Sequence, residues 1–164
     1  ATDPAFKEPR TLQRPEWYAD GLAFSCTQCG NCCTGPPGAV WYSLEEEQAM
    51  AKHLGLSIEA FRSRYTRKLG KGRSLEENVT EHGNDCIFLD RERFPGKAVC
   101  SIYEVRPLQC RTWPWWPENL SSRRAWDATK KRVPCPGMGE GKVHPYQQIR
   151  VVRDQQAACP DPAW

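Results

Sequence analysis

Nine cysteines stand at positions 26, 29, 32, 33, 86, 100, 110, 135 and 159 of a 164-residue chain, four of them within the run Cys26–Cys33. That run reads C-x2-C-x2-C-C. Three cysteines two residues apart, with Gly30 between them, can curl until their sulfurs converge. Such a tripod suits three corners of a [4Fe–4S] cube, completed by a remote cysteine that often precedes a proline, as Cys135 precedes Pro136. The same spacing also makes zinc knuckles, and eight thiolates suffice for two Zn²⁺ sites of four cysteines each. Thiolate is a soft ligand that matches either metal, so spacing alone leaves zinc and iron–sulfur both open. A disulfide framework fits poorly. Adjacent Cys32 and Cys33 bridge only with strain, and secreted scaffolds spread their cysteines to close long loops. A thioredoxin-type redox pair at Cys29 and Cys32 is a further alternative, but no βαβ pattern surrounds it.

Four segments carry a resemblance in order and spacing: F-S-C-T-Q-C-G-N-C-C, C-I-F-L-D, C-S-I-Y-E-V-R-P-L-Q-C-R-T-W-P and C-P-G-M-G-E-G. Together they are similar to the YkgJ-type cysteine-cluster proteins, described as a zinc- or iron-chelating CxxCxxCC domain with eight characteristic cysteines. The resemblance covers roughly residues 23–145. It implies that Cys26, Cys29, Cys32, Cys33, Cys86, Cys100, Cys110 and Cys135 are the family's eight metal-site cysteines. Cys159 falls outside that pattern and is expected to be a bystander thiol. Flagellin lysine methylases resemble the chain through a similar cluster but have additional sequence.

Around these cysteines, Arg106-Pro107 favours an extended step that helps to hold Cys110. Tyr103, Trp113, Trp115 and Trp116 are expected to form an apolar shell, with ordinary core packing as the plainer role. Arg106 and Arg111 carry charge able to offset an excess of thiolate. His82 is a candidate to replace one thiolate, whereas His53 and His144 read as helix-end or surface residues. The glycine-rich G-M-G-E-G lacks the strand–helix context of a nucleotide fingerprint. Basic stretches at 62–73 and 123–132 allow a zinc-stabilised nucleic-acid binder, but no aromatic ladder interleaves the charges and a solvated face fits them better.

The elements that must position this chemistry are short. Hydrophobic residues make up 39% and the formal net charge is +3, so neither a strongly basic surface nor a large core is available. No apolar run reaches the roughly 20 residues of a membrane helix. Seven Trp, five Tyr and five Phe argue against disorder. Ser43 with Glu46 is a capping box opening a helix that Gly55 stops, and Ser57 starts a second with Ile58, Phe61 and Tyr65 on one face. Short strands are expected at 39–42, 74–80, 86–89, 98–100 and 125–129, the third and fourth forming a hairpin. The segment 101–116 is expected to be irregular between its proline steps, 134–141 a tight loop, and a last helix runs from Pro145 to about Ala158.

The fold class expected is therefore α+β: a small irregular cysteine-rich domain with a short antiparallel sheet, about three helices and long loops organised around metal. An extended arm is expected over 1–22, the metal-binding domain over 23–158 and a tail over 159–164. The functional expectation is a cytoplasmic metal-binding protein with one or two thiolate-ligated centres, iron–sulfur ahead of zinc. It would serve electron transfer, metal handling or a redox or catalytic protein partner. A thiol/disulfide oxidoreductase, or a cluster-bearing enzyme subunit, is the alternative.

Overall fold

The computed structural model describes residues 16–158. In chain order they form β1 (Leu22–Phe24), α1 (Leu44–His53), α2 (Ile58–Tyr65), β2 (Thr66–Leu69), β3 (Gly72–Leu75), β4 (Glu77–Thr80) and β5 (Gly83–Cys86). Then follow β6 (Leu89–Asp90), β7 (Val99–Cys100), α3 (Leu108–Arg111), α4 (Pro117–Leu120), α5 (Arg123–Arg132), β8 (Met138–His144) and α6 (Tyr146–Ala157). The class is α+β, as expected. In place of one short sheet, the described residues form four two-stranded antiparallel ladders: β1–β8, β2–β3, β4–β5 and β6–β7.

The capping box forms. Ser43 Oγ accepts the Glu46 N–H at 3.1 Å, and Glu46 Oε2 accepts the Ser43 N–H at 2.9 Å. Gly55 then leaves α1 with φ near 68°, and Ser57 caps α2 through the Ala60 N–H. The expected face of α2 is the buried one: Phe61 stacks on Phe88 at 6.4 Å and Tyr65 on Phe88 at 4.9 Å.

Several local expectations change. Residues 125–129, expected as a strand, lie in α5; Ser122 Oγ accepts the Ala125 N–H, and Trp126 and Thr129 are buried three apart on one helical face. The cap and the helical spacing outweigh the local alternation. The 101–116 segment holds a 3₁₀ turn at Tyr103–Val105 and the short α3, which starts directly after Pro107. The expected 74–80 strand is two strands broken at Glu76. Cys86 pairs with Glu77, so the expected hairpin is shifted to Leu89–Asp90 against Val99–Cys100. The expected 134–141 loop turns into strand at Met138, with Gly139 and Gly141 at positive φ.

The apolar residues form two cores. One gathers both ends of the described chain around Tyr18, Leu22, Trp115, Trp126, Met138 and Ile149. The other joins α1, α2 and the hairpins around Met50, Phe61, Leu75, Phe88 and Ile102.

Candidate metal centre

The first cysteine loop is shaped by its backbone. Gln28 and Gly30 take left-handed conformations with φ of 57° and 76°. These turns aim the Gln28 N–H at Cys26 Sγ and the Asn31 N–H at Cys29 Sγ, each at 3.4 Å. The Phe88 N–H serves Cys86 and the Ile102 N–H serves Cys100 in the same i+2 relation. Cys135 receives the Gly137 and Met138 N–H groups. Five cysteines thus share one local device, a backbone N–H directed at the sulfur.

Six of the eight expected cysteines line one cavity of about 320 Å³: Cys26, Cys32, Cys33, Cys86, Cys100 and Cys110. Phe24, Trp113 and Trp115 wall it from the first core, and Leu75, Phe88 and Ile102 from the second. The cavity is the seam between the two cores. Cys29 and Cys135 are not in this lining; they are electrostatic neighbours of one another, and Cys32 is a neighbour of Cys135 as well. Asn31 Nδ2 donates to the Pro134 carbonyl at 2.7 Å and brings this second pair beside the first loop. None of the eight is in a disulfide, and Cys159 lies outside the described residues.

The chain matches the family CxxCxxCC, "Putative zinc- or iron-chelating domain", over residues 25–136. It belongs to that family. A curated relative, the uncharacterized protein MJ0661 of Methanocaldococcus jannaschii, is 32% identical over 130 residues, covering 77% of this chain. The chain spans 65% of that relative's length. No solved structure matches the chain.

In this CxxCxxCC domain the electrostatics follow from burial and crowding. The Cys86 thiol is pushed up to about 11, mainly by burial, and burial raises Cys100, Cys110 and Cys135 as well. Cys32 and Cys33 have sulfurs 3.7 Å apart and behave as a pair. The hydrogen bond between them holds Cys32 below the ordinary thiol range and Cys33 well above it. Arg106 is the expected counter-charge, acting on Cys32, Cys100 and Cys110; its guanidinium lies 3.8 Å over the Tyr103 ring. Arg111 lines the cavity but turns to Glu46 at 3.5 Å, which spends part of its charge elsewhere. Tyr103 and Trp113, Trp115 and Trp116 all line the cavity, as the apolar-shell reading expects.

His82, the expected thiolate substitute, is exposed beside Glu81 and is not in the lining. His144, expected at the surface or as a cap, instead lines the cavity with its ring 5.2 Å from Trp115. The signal for it was weak, because its position depends on β8 pairing with a strand more than a hundred residues earlier. Within the basic stretch 62–73, Arg62 pairs with buried Glu47 at 2.8 Å, and Arg67 pairs with Glu76 and Glu77. That arrangement fits the solvated-face reading.

The donor set fits a thiolate-ligated metal centre. The amide donors behind the sulfurs and the nearby guanidinium favour anionic sulfur and oppose the burial and crowding that disfavour it, a balance a bound cation would tip. The buried Trp113 indole N–H, at the cavity wall, has no acceptor among the described residues. Leaving such a donor unpaired costs about 1–3 kcal/mol, which a sulfur acceptor would relieve. Among the described residues, no three Cys, His, Asp or Glu side chains are gathered tightly enough to hold a single ion. No helix among them is long and apolar enough to cross a membrane.

Proposed function

We propose that this domain carries an iron–sulfur centre of [4Fe–4S] type in the cavity at the seam of the two cores, with ligands drawn from the six cysteines that line it. The cavity's size carries the reading. About 320 Å³ is many times the ~10–15 Å³ that one water needs, so a bare zinc ion leaves most of it empty. Cys29 and Cys135 complete the set of eight, either as further ligands of the same centre or in a second one that shares the Cys32 side of the loop. A centre of this kind exchanges single electrons, and the chain's own residues set its conditions. The six sulfur-directed amides and Arg106 stabilise negative charge, while the tryptophans limit water. Electron transfer to a protein partner is the role this supports, in a reducing compartment such as the cytoplasm.

The test is anaerobic purification with iron, sulfide and zinc analysis and a visible spectrum. Iron and acid-labile sulfide in equal amounts, with a broad visible absorption, are expected. Zinc alone, without sulfide, overturns the iron–sulfur reading.

One observation favours a second reading. The Cys32–Cys33 pair places a thiol held below the ordinary thiol range beside a second thiol on an exposed loop, which suits attack on a disulfide. That reading expects the metal-free protein to reduce a model disulfide at a rate that falls sharply in Cys32→Ser.

A further inference from the structure

We infer that His144 is a nitrogen donor to the metal centre, through Nδ1. The assignment rests on the reading of the cavity as a metal centre, whichever metal fills it.

His144 ends β8, paired across the ladder with Leu22, and is a lining residue of the cavity that holds the six cysteines. Its Nε2 lies 2.9 Å from the Phe24 carbonyl oxygen. A carbonyl only accepts, so Nε2 carries a proton, and the tautomer this selects has its lone pair on Nδ1. Among the described residues nothing bonds Nδ1. Packing on Trp115 at 5.2 Å restricts the ring further.

These are the conditions that metal-ligating histidines meet. One nitrogen is anchored to a carbonyl, which fixes the tautomer and orientation, and the other is offered to the metal. The anchoring carbonyl belongs to Phe24, two residues before Cys26, so one stretch of backbone positions both donors. A neutral imidazole among thiolates also lowers the negative charge of the site, which favours its reduced state.

The test uses the full chain, reduced, labelled with ¹⁵N-histidine and loaded anaerobically with ¹¹³Cd²⁺. Imidazole nitrogens are followed by long-range ¹H–¹⁵N correlation, with His53 and His82 as internal controls. On loading, His144 Nδ1 is expected to shift and to split by coupling to cadmium, while Nε2 stays protonated. His144→Gln keeps an N–H able to reach the Phe24 carbonyl and removes the ring nitrogen. It is expected to fold and to bind cadmium about tenfold more weakly. Cadmium bound with the His144 Nδ1 signal unmoved overturns the assignment and leaves the metal-centre reading standing. Failure to bind cadmium at all overturns that reading, and this inference with it.

Discussion

Asn31 donates its side-chain N–H to the carbonyl of Pro134, 2.7 Å away and 103 residues later in the chain. The bond joins the loop of Cys29 and Cys32 to the loop of Cys135. Asn31→Ala removes one hydrogen bond at an exposed site, a loss of ~0.5–1.5 kcal/mol in urea unfolding. Its larger effect is expected on Cys135. In the metal-free, reduced protein, a short bis-electrophile such as dibromobimane should alkylate and join Cys29 and Cys135 in the parent, releasing two bromides, and do so several-fold less in Asn31→Ala. Equal crosslinking in both would show that other contacts hold the loops together.

Gly30 cannot carry a side chain. Its φ of 76° is left-handed, and a β-carbon would lie 2.6 Å from the Ala98 methyl group. The neighbouring Ala98 N–H donates to the Gln28 carbonyl at 2.8 Å, so the loop and the β6–β7 hairpin cannot simply separate. Gly30→Ala is expected to cost ~1–2 kcal/mol for the conformation, with the clash in addition. Metal uptake should fall with it. Thermal melting and metal analysis of the same preparation check both effects.

Asp85 is buried beside Arg91, whose guanidinium donates twice to it at 2.7 and 2.9 Å. Arg91 holds the Asp85 carboxyl below the usual carboxylate range. A pKa lowered by folding contributes stability that is present above the unfolded value and is lost as pH falls through the folded one. Arg91→Met is therefore expected to cost ~1.5–3 kcal/mol near neutrality, as charge-assisted hydrogen bonds do. Its deficit relative to the parent should shrink as the medium is acidified below about pH 4. Urea titrations of metal-free, reduced protein across that range measure it. A deficit independent of pH would assign the loss to packing.

Removing metal should loosen the seam between the cores. A thiolate-ligated structural metal contributes an apparent ~10–16 kcal/mol in small peptides, comparable with the stability of a whole domain. The metal-free, reduced protein is expected to melt well below the loaded form, with α1 and α2 retained longest around Phe61 and Phe88. Cys32→Ser should lose metal and melting temperature together, while Cys159→Ser should keep both. Equal losses in the two variants would count Cys159 among the ligands.

Local chemistry made much of this legible in the sequence. The capping box at Ser43, the apolar face of α2 and the clustered cysteines depend on neighbours a few residues apart, and side-chain type suffices to read them. The family likeness rested on the same short-range spacing. What it could not convey was partnership across the chain. The separation of six cavity cysteines from Cys29 and Cys135, the pairing of β1 with β8 and the arrival of His144 in the cysteine-lined cavity all join segments far apart in sequence. Those contacts are chosen by packing into two cores, which joins segments that short-range spacing does not connect. Residue type and spacing determined that sulfur would be concentrated here. Tertiary structure decided which sulfurs share a space, how large it is and what else lines it, because only packing converts distance along the chain into distance in space.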